Sequence, residues 1–82
     1  MIDVLYFAWL RERIGVGRER VVTEAATVAG LVDELRAREE RYAVAFADLS
    51  AVRVSVDQEL AGWDASLAGV REVAFFPPMT GG

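Results

Sequence analysis

The residues of this chain that could do chemistry lie together in its last stretch, Phe75-Phe76-Pro77-Pro78-Met79-Thr80-Gly81-Gly82. Pro77 and Pro78 lack a backbone N–H and hold φ near about −65°, so a strand running through the phenylalanines must stop there. Gly81 and Gly82 carry no Cβ and can enter a cleft that side chains would block. The one reactive group on offer is the α-carboxylate of Gly82. With a reference pKa of about 3.3 to 3.7 it is ionised at neutral pH and is a poor electrophile until another enzyme activates it. An adenylating enzyme can turn it into an acyl-adenylate, and a sulfur donor can then make a thiocarboxylate, a nucleophilic sulfur that needs no cysteine. Four extended residues after Pro78 reach about 13 to 14 Å. Ordering them costs about 4 to 8 kcal/mol, so the folded body must supply a docking surface to offset that cost. The competing reading is a frayed terminus that carries nothing. The stiff Pro-Pro step and the apolar strand before it favour a presented tail.

Composition limits what else the chain can do. Its 82 residues, 54% hydrophobic with a net charge of −4, are expected to form one domain. The acidic balance argues against nucleic acid and suits a partner with a basic face. There is no cysteine and no histidine. Disulfides, thiolate metal sites and a cysteine nucleophile are excluded, and the commonest general base is missing, so neither a metal site nor a cofactor is expected in this chain. All nine basic residues are arginine, which leaves no ε-amine for joining copies by isopeptide bonds. The longest apolar run, residues 4–10, falls far short of the roughly 20 that a membrane helix needs. Asp3 stands where a secretory signal would be basic, and a cytoplasmic location is expected.

The elements that must position the tail follow from periodicity. Residues 2–9 read as a strand, with Ile2, Val4, Tyr6 and Ala8 on one face and Asp3, Leu5, Phe7 and Trp9 on the other. Arg11 to Arg13 open a polar stretch that ends in the turn Gly15-Val16-Gly17, and residues 20–23 read as a second strand closing a hairpin. Thr27 is an N-cap for a helix over Val28–Arg38, whose Val28, Leu31, Val32 and Leu35 share one face, while Glu34 and Arg38 are spaced for an outer ion pair. Residues 39–41 read as a charged connector and 42–46 as a helical turn returning to the core. Strands follow at 51–57, 59–61 and 71–76, with Val52, Val54 and Val56 inward. This order predicts an α+β, β-grasp domain over residues 1–76, a mixed sheet packed on one main helix, followed by an extended tail over 77–82. The first and last strands are expected side by side. One helix covers only one sheet face, so Leu5, Phe7, Leu60 and Phe76 are candidates for a partner-binding patch on the other.

These residues resemble a known family. The opening Ile2-Asp3-Val4-Leu5-Tyr6-Phe7-Ala8 with Leu10-Arg11-Glu12, the helix start Thr27-Val28, the turn Val56-Asp57-Gln58 and the run from Glu72 to Gly82 are similar to the MoaD/ThiS group of ubiquitin-like sulfur carriers. The Phe-Phe-Pro-Pro step resembles the MoaD branch, the small subunits of molybdopterin synthase. The resemblance implies that a MoeB-like adenylating enzyme spends ATP on Gly82 and that a sulfur donor makes the thiocarboxylate. The tail residues Pro77, Pro78, Met79, Thr80 and Gly81 would then enter a MoaE-like large subunit, where cyclic pyranopterin monophosphate becomes molybdopterin. Catalytic side chains would lie on that large subunit, the assembly would be a heterotetramer, and Phe7, Leu60 and Phe76 would be the contact positions. A carrier with the same end chemistry but another acceptor, a thiamin thiazole, a transfer RNA or a protein, is the alternative. The chain departs from the family at Ala68-Gly69-Val70-Arg71-Glu72-Val73, where members often read Asp-Gly-Asp-Glu-Val, so its turn geometry is expected to differ.

Overall fold

The structure, a computed structural model, describes residues 1–78. Five strands, β1 (Ile2–Tyr6), β2 (Arg18–Val21), β3 (Arg53–Val56), β4 (Glu59–Ala61) and β5 (Glu72–Phe76), form one sheet in the order β2-β1-β5-β3-β4. β1 and β5 pair in parallel and all other neighbours are antiparallel. Three helices, α1 (Ala8–Ile14), α2 (Val28–Arg38) and α3 (Glu40–Ala45), send their buried residues into a single core with the sheet. This is the expected α+β arrangement, with first and last strands adjacent.

The alternation of β1 and β5 decides which residues are buried. Ile2, Val4 and Tyr6 face the helices with Val54, Val73 and Phe75, all at 5% exposure or less. They meet Val28, Leu31, Val32 and Leu35 of α2, the stripe read from the sequence. Thr27 caps α2 as expected, its hydroxyl accepting from the Gly30 amide at 3.2 Å. The free amides of Val28 and Ala29 donate to the carbonyls of Ala65 and Trp63, so the irregular segment before β5 also completes the start of α2. Gly30 sits inside the helix because a Cβ there would come within 3.2 Å of Ala25 Cβ.

Several expectations need correction. The first strand stops at Tyr6 rather than Trp9: Phe7 becomes the N-cap of α1, and Ala8, with φ of 54°, is exposed instead of core-facing. The supposed polar stretch is α1 itself, with Leu10 and Ile14 buried one turn apart, so β1 and β2 are joined through a helix and not by a tight hairpin. α3 starts at Glu40, inside the supposed connector, and buries Tyr42 and Ala45. Glu34 and Arg38 do not pair. Glu34 accepts from Thr23 Oγ1 at 2.5 Å, and Arg38 lies over the Tyr42 ring at 5.5 Å.

One polar network joins β1, β2 and α3 behind the sheet. The phenols of Tyr6 and Tyr42 both donate to Glu19 Oε2, at 2.8 and 2.6 Å. Burial, then the Glu19 carboxylate, raises the Tyr6 phenol well above its ordinary value, and the same causes push Tyr42 up to about 12. Both phenols therefore stay protonated and donating throughout the physiological range.

Candidate docking face and tail exit

Phe75 fixes where the tail leaves the fold. It is fully buried, stacked near-parallel with Tyr6 at 6.1 Å and Trp63 at 6.3 Å, with Phe46 edge-on at 5.0 Å. Because side chains alternate along a strand, anchoring Phe75 inward turns Phe76 outward onto the helix-free face. The Phe7 amide donates to the Phe75 carbonyl at 3.1 Å, so β1 holds β5 to its last rung. Beyond Phe76 the chain leaves the sheet at Pro77 and Pro78, both half-buried. Gly82, expected to carry the chemistry, and Met79, Thr80 and Gly81, expected to enter the partner's cleft with it, lie outside the described residues.

The register builds the helix-free face row by row. Leu5 pairs with Ala74, Ala74 with Ser55 and Ser55 with Leu60, a line of four residues across β1, β5, β3 and β4. Phe76 pairs with Arg53 in the next row, nearer the tail exit. With strands about 4.8 Å apart, this row spans about 14 Å. Leu60 is 75% exposed and Phe7 47%, while Phe76 and Leu5 are half-buried. Phe7, Leu60 and Phe76 are thus all accessible: Phe76 ends β5 where the tail departs, and Leu60 lies in the row before it, level with Ala74. Phe7 contributes from the junction between β1 and α1, not from mid-strand. Ala74, Ser55 and Arg53, which fill the rows between them, were not singled out in the sequence; only the pairing register reveals their place.

Charge borders the patch. Asp3, one row pair away from Leu5 on the same face, accepts from Arg18 at 2.8 Å and Arg20 at 3.2 Å. The Arg18 hydrogen bond is the main cause that holds the Asp3 carboxyl below its ordinary range. At the same end of the sheet, Asp57 Oδ1 accepts from the amides of Arg71 and Glu72, both at 3.0 Å. This holds the divergent turn before β5, in which Gly69 takes a φ of 73° with open space around it. The turn lies away from the tail exit and leaves the register of β5 intact. Among the described residues no cluster of His, Cys, Asp or Glu is arranged to hold a metal ion, and no helix is long and apolar enough to cross a membrane. Such a face can bind a protein surface and aim a chain end.

Comparison with known proteins extends these observations to the whole chain. Residues 4–82 match the model of the ThiS family. The molybdopterin synthase sulfur carrier subunit of Escherichia coli K12 is 40% identical, with all of both chains covered. The protein of the same name from Haemophilus influenzae is 33% identical, again over the full length of both. Among solved structures, SAMP1 from Haloferax volcanii superposes with a TM-score of 0.76 at 29% identity, covering 99% of this chain and 98% of its own.

Proposed function

The chain belongs to the ThiS family, and from that premise we propose that it is the sulfur carrier subunit of a molybdopterin synthase in molybdenum cofactor biosynthesis. The carboxylate of Gly82 attacks the α-phosphate of ATP on a MoeB-like partner, pyrophosphate leaves, and a sulfur donor displaces AMP to give the thiocarboxylate. The loaded tail then enters a MoaE-like large subunit, which holds the pterin precursor and the catalytic side chains. Each sulfur delivered leaves Gly82 to be restored as a carboxylate by water. This chain's residues bind and aim. Phe7, Leu60 and Phe76 dock, and the Phe75 anchor with the Pro77-Pro78 step directs the tail away from the sheet.

The observation that carries this reading is 40% identity, end to end, with a protein named for that role. The exposed apolar side chains of Phe7 and Leu60 on the helix-free side support it, because ordering a glycine tail in a cleft requires binding energy from elsewhere. Mixing the chain with a MoaE-like large subunit should give a stable complex of two copies of each. Once thiocarboxylated, the chain should convert cyclic pyranopterin monophosphate to molybdopterin. A thiocarboxylated chain that forms no such complex but passes sulfur to a thiazole, a transfer RNA or a protein would assign it to another acceptor.

A further inference from the structure

A cleft that encloses the root of the tail must have walls on both sides of it, and the helix-free face offers contact on one side only. We infer that the groove between α1, α3 and the single 3-10 turn Leu49–Ala51 is a second docking site for the same large subunit, taking one apolar side chain from the opposite wall of that cleft. The inference rests on the proposed large subunit as partner.

Strand register places the groove beside Pro77. The Phe7 amide donates to the Phe75 carbonyl and Arg53 pairs with Phe76, so β1 and β3 flank β5 up to its end. β3 runs antiparallel to β5, and stepping back from Arg53 therefore leads the same way as stepping forward from Phe76. Trp9, two residues beyond Phe7, and Ala51, two residues before Arg53, thus lie at the end of the sheet from which the chain leaves. α1 packs against α3 and β5, which sets Trp9 on the helix side. A partner that covered only Phe7, Leu60 and Phe76 would leave Pro77 and Pro78 open on that side. One that encloses them meets the groove.

The lining of the groove states what it takes. Its volume is about 330 Å³, and its lining includes Trp9, Val44, Ala47 and Ala51 with the charged Arg13 and Asp48. Val44 is 51% exposed while Tyr42 and Ala45 of the same helix are buried, so it stands outside the core. Ala47 and Ala51 are small and leave the hollow unfilled. The Arg13 guanidinium lies over the Trp9 ring at 4.9 Å, and among the described residues it pairs with no carboxylate. Asp48 accepts from the Ser50 amide at 3.0 Å and hydroxyl at 2.6 Å, both through Oδ1, and the hydroxyl first of all holds its carboxyl below the ordinary range. Its Oδ2 is left to accept from a partner. An apolar centre with one cation and one anion at its margin has the make-up of an interface pocket with a polar rim. It fits an aliphatic or aromatic side chain flanked by a carboxylate to meet Arg13 and by an amide or cationic donor to meet Asp48.

Titration calorimetry of the full chain with a MoaE-like large subunit tests the inference. Val44→Arg and Ala47→Arg each put a long charged side chain into the groove from an exposed position, so both should keep the thermal midpoint of the parent. Val22→Arg is the control: it adds the same charge at a position 78% exposed, next to Val21 at the sheet end away from the tail. Val44→Arg and Ala47→Arg should each weaken binding by about tenfold or more, as blocked interface pockets do, whereas Val22→Arg should bind as the parent does. Arg13→Glu should weaken binding several-fold at low salt, with the difference fading as ionic strength rises. Undiminished binding by both Val44→Arg and Ala47→Arg, an equal loss from Val22→Arg, or parent-like binding by Arg13→Glu at low salt would overturn the inference and leave the proposed function standing. A parent chain that forms no complex with the large subunit would overturn both.

Discussion

The two faces of the sheet are made from the same five strands, alternate residues of one sequence, and they serve opposite ends. On the helix side Val4, Tyr6, Val73 and Phe75 are at most 1% exposed. On the other side Leu60 and Phe7 stand 75% and 47% open to solvent. Adjacent phenylalanines show the division at its sharpest: Phe75 is packed among three aromatic rings, and Phe76 is turned out beside the tail. A small domain gains its stability by burying apolar area, so leaving large apolar side chains exposed gives up stabilisation of roughly 25 cal/mol per Å². A protein partner that covers them recovers it. The contrast separates, residue by residue, the side chains that hold the fold from those that do not.

The sharpest way to break the comparison is at the chain end. Deleting Gly82 should abolish sulfur transfer while leaving the thermal midpoint where it was, because the core cluster is built from residues 2–75. Sulfur delivery by the shortened chain, measured as molybdopterin formed with the large subunit, would refute the assignment of the chemistry to Gly82.

The paired phenylalanines come next in size. Phe75→Ala should cost about 3 to 5 kcal/mol of folding stability, the usual loss for a buried aromatic, and in a domain of this size that leaves little folded protein. Phe76→Ala and Leu60→Ala should each change stability by less than about 1 kcal/mol. They should weaken binding to the large subunit by about tenfold or more, as truncations of interface anchors do. Urea unfolding and titration calorimetry on the same three variants decide the point. Equal stability losses from Phe75→Ala and Phe76→Ala would erase the distinction between the faces.

The polar groups on the two faces should fail at opposite ends of the pH scale. The folded-state pKa of Tyr42, about 12, lies above its ordinary 10. The stabilisation from its protonated phenol is therefore whole below pH 10 and is lost as pH rises through about 12. Asp3 is shifted the other way, chiefly by Arg18, so its contribution is present above the ordinary carboxylate range and disappears as pH falls through its lowered value. Tyr42→Phe should cost about 1 to 2 kcal/mol near neutrality and flatten the alkaline limb, read from unfolding midpoints against pH. An unchanged alkaline limb would mean that the Glu19 network is not what holds α3 to the sheet.

The smallest expected change lies in the turn between β3 and β4, where Asp57 and Gln58 both take positive φ, 48° and 71°. Gln58→Gly should stabilise the fold by about 0.5 to 1 kcal/mol, since glycine adopts that conformation without strain. The gain should appear in thermal unfolding and leave partner affinity alone.

Much of this was legible in the sequence, for physical reasons that differ by element. The stripe of α2 and its Thr27 cap were read with both boundaries correct, because helical period and cap chemistry are local. The exposure of Phe7 and Leu60 and the outward turn of half-buried Phe76 follow from counting faces: one strand alternation, one main helix, one side left over. α1 was missed because Ala8-Trp9-Leu10 prolonged the apolar run of β1, although Leu10 and Ile14, four apart with charged residues between them, carried a helical signal. α3 reads in the sequence as only a turn because it is short and opens inside the charged run Glu39-Glu40-Arg41, although Tyr42 and Ala45 stand at helical spacing. The sharing of Glu19 by Tyr6 and Tyr42 could not be read locally, since it depends on β1, β2 and α3 converging across more than twenty residues. Arg53 and Ser55 acquired meaning only from strand register.

The measurement that bears most directly on the account is the intact mass of the chain after incubation with ATP, a MoeB-like adenylating enzyme and a sulfur donor. The account predicts a mass increase equal to one oxygen replaced by sulfur, located on Gly82 by fragmentation and absent when one further residue follows position 82. An unchanged mass under conditions that load a known carrier, or the same gain in the extended chain, would contradict it.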